Sequence, residues 1–273
     1  MPALTTVLAL LGLAASAVAC STGVNGRGRS PAPTRTPPPA LIDECQFPSD
    51  PVVVRAQDGA VLQYWEVEEN ELWSRALLPA DPAYLRYRRR VEDHGADQAR
   101  PPQYVPEDQR GRESWRRELH NVERAYSTEA GTLRPVWCLD ALLFAHQNAR
   151  HPQLDRPTEF IASVLRKRVD GRTVLRVYFG AGDELFPPRE VYGFDQVEDD
   201  VSAGWEYAVM LHNHTVQDAD GRVRLGVPAP SVSDVQLIRS LVERYGLERA
   251  WITNGFYTLD LPADGLDAYL GPE

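Results

Sequence analysis

Residues 207–214 read Tyr207-Ala-Val-Met-Leu-His-Asn-His214, and residues 230–238 read Pro230-Ser-Val-Ser-Asp-Val-Gln-Leu-Ile238. The first stretch is an apolar run of strand length that ends in two imidazoles. Alternate side chains of a strand share a face, so His212 and His214 project together, at a separation that can chelate one metal ion. The second stretch starts a pattern of apolar residues at helical spacing that Gly246 closes, which predicts a helix over 232–245. Ser231 and Asp234 at its head form a capping box, a structural device, and Asp234 is equally a third donor for a metal.

Working outward, Pro135 is expected to open a helix on which Val136, Leu139, Leu142 and Leu143 make one stripe, ending near His151-Pro152. His146 continues that stripe and reads as a packed core histidine, while His151 suits the negative end of the helix dipole. Glu159 to Leu165 reads as a strand, Asp170-Gly171 as its turn and Val174 to Phe179 as the return. A loop marked by Pro187 and Pro188 leads to the histidine strand. Ala250–Thr253 and Phe256–Leu261 are the last strands. Helices interleaved with paired strands predict an α/β fold with a mixed sheet flanked by helices. Before residue 133 the signals are weaker. Val52–Val54 and Val61–Val67 around Asp58-Gly59 make a hairpin, and helices are expected over 83–92 and 113–130, separated by a loop with Pro101, Pro102 and Pro106. His94 and His120 have no neighbour at metal-ligand spacing.

Two histidines and an aspartate form a nitrogen- and oxygen-rich set of the kind zinc accepts, with a fourth position left for water. A carboxylate nearby can take a proton from that water and pass it to a leaving amine. Glu159, a polar residue at the head of an apolar strand, is the candidate.

The order of these elements resembles the JAMM (MPN-type, prokaryotic JAB) zinc metalloproteases over about residues 134–262. Pro157-Thr158-Glu159-Phe160-Ile161-Ala162 is similar to the family's Glu-bearing strand after its first helix. Leu211-His212-Asn213-His214 is similar to its metal pair, and Pro228-Ala-Pro-Ser-Val-Ser-Asp234 to its Pro-Ser-x-x-Asp stretch. The resemblance implies a JAMM/MPN-like (cytidine-deaminase-like) fold and Zn2+ held by His212, His214 and Asp234. It further implies Glu159 as general base, Ser231 as the donor to the developing oxyanion, and a peptide or isopeptide as substrate. A JAMM-fold binding module without catalysis, or a structural envelope lipoprotein, is the alternative. Thr215 stands where the family usually has Pro, and the segment from His214 to Ser231 is longer than the family's. Its extra residues, about Val216 to Leu225 with Asp218-Ala-Asp-Gly221, predict a hairpin beside the metal that covers one side of the cleft. Glu190, in Arg189-Glu-Val-Tyr-Gly193, superficially mimics the Glu-bearing strand, but no helix precedes it.

The chain ends of this reading are set by composition. Residues 3–19 are apolar or small and finish in Ala17-Val-Ala-Cys20, which reads as a signal peptide over 1–19. Cys20 is then either a lipidated first residue, as in a bacterial lipobox, or the neighbour of an ordinary cleavage site. Residues 20–40 hold five prolines among Ser, Thr and Gly and read as a tether. The expected organisation is that leader and linker, an extension over 41–132 of unassigned role, and a metallopeptidase domain over 133–273. The mature chain is expected outside the cytoplasm, either as an envelope lipoprotein (outer membrane or periplasm) attached to membrane only through the anchor, or secreted. In that oxidising compartment Cys45 and Cys138 are an even pair and are expected to form a disulfide. With 43% hydrophobic and 25% charged residues in 273, the composition is that of a globular protein. The net charge is −10, and three arginines with no acid in 21–40 make the remainder more acidic still, which argues against nucleic acid as a partner.

Overall fold

The structure, a computed structural model of the full chain, describes residues 45–93, 109–127, 130–215, 217–219 and 222–269. The signal-like segment, Cys20, the tether, His94 and the loop with Pro101, Pro102 and Pro106 lie outside the described residues. In chain order the elements are β1 Val52–Gln57, β2 Ala60–Glu68, α1 Pro82–Asp93, α2 Gln109–Ser127, β3 Thr132–Pro135, α3 Cys138–Arg150, β4 Phe160–Val169, β5 Arg172–Ala181, α4 Phe194–Ser202, β6 Glu206–Asn213, β7 Gln217–Ala219, β8 Arg222–Arg224, α5 Val232–Tyr245, β9 Arg249–Thr253 and β10 Tyr257–Pro262. Short 3-10 turns occupy Glu71–Ser74, Arg189–Val191 and Ala263–Tyr269.

Asp58-Gly59 and Asp170-Gly171 both adopt the left-handed backbone that a tight hairpin requires, and they close β1–β2 and β4–β5. Strand β2 pairs with β5 over most of its length, so the first hairpin extends the main sheet. The result is an eight-stranded mixed sheet in the order β1-β2-β5-β4-β6-β9-β10-β3, flanked by helices. All pairings in it are antiparallel except β6 with β9. Side chains of β4 alternate between two apolar layers. Phe160, Ala162 and Val164 join α1 and α3, whereas Ile161 and Leu165 join α2, α4 and α5. Covering on both faces explains why 160–165 is apolar except for Ser163, whose buried hydroxyl is 2.7 Å from that of Tyr207.

Two expectations need correction. Pro135 does not open a helix. It ends β3, opposite Tyr257 in the register of β10. Proline has no N–H for a ladder and is suited to the last residue of an edge strand. Helix α3 starts at Cys138, where the Asp140 carboxylate accepts the Trp137 N–H at 2.7 Å. The proline loop after β5 also contains a helix, α4, which its four acidic residues disguise. Val197 is fully buried, and Asp200 accepts from the Arg176 guanidinium and from the Tyr178 hydroxyl, so one acid of this run faces inward. Expected and observed strands otherwise agree within a few residues; of the hairpin expected over Val216 to Leu225, β7 and β8 pair antiparallel, while Val216, Asp220 and Gly221 lie outside the described residues.

Cys45 and Cys138 form a disulfide, with Cα atoms 5.6 Å apart, that joins the start of the described chain to the first residue of α3. Among the described residues no helix is long and apolar enough to cross a membrane.

His146 is a core residue, as its stripe implied. Its ring stands edge-on to Trp65 and Phe179, and the Gln63 amide donates to Nε2 at 2.6 Å. Burial, with a smaller contribution from Arg150, lowers its pKa to about 4, against 6.5 for a free imidazole. A depressed folded-state pKa gives stability that is complete above pH 6.5 and lost as pH falls through 4. Unfolding free energy is therefore expected to drop by up to about 3 kcal/mol across that window from this residue alone. Denaturant titrations of wild type and His146→Phe from pH 7 to 4 check this, and equal pH dependence in both would refute it.

Candidate metal centre

The site lies where β6 ends and α5 begins. Strand β6 carries His212 as its penultimate residue, and His214 follows directly after the strand. The two Nε2 atoms are 3.2 Å apart. Asp234 Oδ2, in the first turn of α5, lies 3.4 Å from His212 Nε2 and 3.3 Å from His214 Nε2. Among the described residues these three have donor atoms that converge tightly enough to hold a metal ion. Ligands at tetrahedral corners about 2.0–2.1 Å from a common centre are about 3.3–3.4 Å apart, so the triangle has the size of one tetrahedral face.

The surroundings orient each donor. His214 Nδ1 is 2.6 Å from the Val227 carbonyl, which can only accept, so Nδ1 donates there and Nε2 is the ring atom that faces the triangle. The carbonyl gets that close because residue 226 is glycine. A Cβ there would lie 2.6 Å from Thr215 O and 2.8 Å from His214 Cβ. His212 is buried, and its Nδ1 has no hydrogen-bond partner among the described residues, so hydrogen bonding alone does not account for the ring's placement.

Asp234 fills both roles left open by the sequence. Its Oδ2 accepts the Ser231 N–H at 2.7 Å, and its own N–H is accepted by Ser231 Oγ at 3.1 Å, completing a capping box. The same Oδ2 faces both imidazoles. Burial alone would raise the Asp234 carboxyl, but the charge and hydrogen bonds of His212 and His214 hold it well below the usual carboxylate range. Burial likewise opposes a charged His214, yet Asp234 outweighs it and lifts the ring to about 9.

Glu159 immediately precedes β4 and is half-buried. Burial pushes its carboxyl up to about 6, with His214 and His212 pulling it down and Asp234 pushing it up, so it shares the field of the triangle. Glu190, by contrast, lies exposed in the 3-10 turn 189–191 and not on a strand.

Three neighbours escaped the sequence reading. Asn213, fully buried between the two histidines and pointing to the opposite face, accepts the Phe160 N–H at 2.7 Å and donates to the Thr158 carbonyl at 3.1 Å. It thereby holds the backbone on both sides of Glu159. A polar residue in a buried strand was the available signal. Tyr192 follows a turn that packs so closely on β5 that a Cβ on Gly180 would lie 1.7 Å from Val191 O. Burial raises its phenol, Arg189 lowers it, and Glu159 and Asp234 raise it further. On α2, Glu118 is also raised by burial, and the charges of Asp234 and His214 reach it.

No protein-family model matches this chain, and no curated protein and no solved structure matches it either.

The capping bonds have a thermodynamic signature separate from any metal. In chelator-treated protein Ser231→Ala is expected to cost about 1 kcal/mol, a fall in melting temperature of about 2–4 °C by calorimetry. An unchanged melting temperature would show that the cap bonds carry no weight.

Proposed function

We propose that this chain is an exported, lipid-anchored zinc hydrolase of JAMM type that cleaves an amide or isopeptide bond. The observation that carries the reading is the triangle of His212 Nε2, His214 Nε2 and Asp234 Oδ2 with edges of 3.2–3.4 Å, beside a half-buried Glu159. Two imidazoles and a carboxylate suit zinc, and three protein ligands leave a position open. Zinc bound there supplies Lewis acidity toward a carbonyl and toward water.

The protein's own groups then divide the work. Glu159, whose acidity lies near neutrality, takes the proton of the attacking water and delivers it to the departing nitrogen. Asn213 keeps it in place through the backbone on either side. Ser231 Oγ uses one lone pair to accept the Asp234 N–H, and its O–H remains able to donate to the oxygen that gains charge. In the resting chain that hydroxyl lies 2.8 Å from Ser233 Oγ. Placement in the envelope draws support from the Cys45–Cys138 disulfide, a bond of oxidising compartments, together with the signal-like segment and Cys20.

Glu159→Gln preserves size and removes the basic oxygen. Turnover of a peptide identified by library cleavage is expected to fall by about a hundredfold or more, equivalent to roughly 3 kcal/mol of barrier. Zinc content and melting temperature should stay at wild-type values, and Glu190→Gln should cleave normally. Full activity in Glu159→Gln, or loss of zinc from it, would refute the assignment; a zinc-free wild type that cleaves nothing would refute the reading as a whole.

A further inference from the structure

The segment 109–127 has no assigned role, yet its buried face ends at the site. Glu118, Asn121, Val122 and Ala125 follow helical spacing and share one face of α2. Val122 and Ala125 are buried in the same apolar layer as Val235, Ile238 and Leu241 of α5. His120 Nε2 lies 3.1 Å from the Ala268 carbonyl and fixes the helix further. The two polar members of the face reach the peptide units on either side of Ser231. Asn121 Nδ2 donates to the Pro230 carbonyl at 2.8 Å, and Glu118 Oε1 accepts the Val232 N–H at 3.2 Å.

We infer that Glu118 and Asn121 are positioning residues that grip the backbone around Ser231 and hold its hydroxyl, and the first turn of α5, in reactive geometry. This rests on the hydrolase reading above and adds to it an unassigned part of the chain. Asn121 is only 1% exposed and its Oδ1 has no partner among the described residues. A buried amide with an orphaned oxygen costs free energy that an apolar side chain would avoid, so stability does not account for it. Its one bond, to Pro230, does. Glu118 is a carboxylate kept half-buried near Asp234, a placement that also works against stability, and its bond goes to the first N–H of α5. The first turn of α5 supplies both Asp234 and the cap residue Ser231, so slack there moves the proposed oxyanion donor while the histidines stay fixed by β6 and Val227.

The test uses full-length mature protein and the variants Glu118→Ala, Glu118→Gln and Asn121→Leu. Leucine fills the asparagine volume and removes the orphaned oxygen, so this variant should fold with a melting temperature at or above wild type. Hydrogen exchange at the Val232 amide is expected to speed up about tenfold or more in Glu118→Ala and Asn121→Leu. Their kcat should fall about tenfold or more, with KM within about twofold and zinc stoichiometry unchanged. Glu118→Gln keeps an acceptor oxygen and should recover most of both. Unchanged Val232 exchange and unchanged kcat in both variants would overturn the inference, as would a fall in kcat that is fully accounted for by loss of zinc. The exchange measurement reads the grip even if wild type cleaves nothing. Faster exchange in the variants of a wild type that cleaves nothing supports the grip, and the wild type's inactivity alone removes the hydrolase reading.

Discussion

Parallel pairing of β6 with β9 cannot be closed by a tight turn, because a parallel strand must be re-entered from the opposite end of the sheet. The chain solves this with a hairpin and α5, and that crossover carries the N-terminus of α5 back to the end of β6. In open α/β sheets, ligand sites form where strand ends and helix starts meet in this way. Every proposed ligand sits at the junction. The antiparallel neighbours β4 and β6 then bring Glu159 within the same field, because Ile161 is paired with His212. The β1–β2 hairpin, α1 and α2 are built onto this arrangement from outside.

Precision at the junction comes from backbone contacts that few side chains make. Asn213 holds the peptide units around Glu159, and Val227 holds the His214 ring. Val227 is itself braced: Asn254 Nδ2 donates to Gly226 O, and the Asn254 and Gly255 carbonyls accept from the hydroxyls of Tyr87 and Tyr84 on α1. Helix α1 thus supports the histidine side of the site and α2 the serine side. A fixed arrangement of this kind is what differential stabilisation of charge in a transition state requires, since donors must not reorganise as the charge develops.

Much of the plan was legible because its signals are local. Asp58-Gly59, Asp170-Gly171 and Gly246 mark turns and a helix end whose backbone few other residues adopt, and each occurs where expected. The alternation that put His212 and His214 on one face is a property of any strand. The legible part failed where long-range burial overrides local character. Helix α4 looks like a polar loop because nothing local shows that Asp200 will meet Arg176 and Tyr178 of β5. Pro135 reads as a helix start because its partner in β10, Tyr257, lies 122 residues later in the chain. Asn213 stood out only as a polar residue within an apolar strand, and Asn121 not at all. Each acts through a backbone contact with a distant segment, and the sequence pattern does not say which segment that is.

The account stands on one centre built from two strand-end histidines and one helix-start carboxylate. The most direct measurement is a titration of chelator-stripped mature protein with Co2+, followed by visible absorption and by competition with Zn2+. The account predicts about one ion per chain with the strong bands of a tetrahedral N/O site, lost in His212→Ala and in Asp234→Ala although both remain folded. A folded wild type that takes up no metal, or uptake that survives both substitutions, would contradict it.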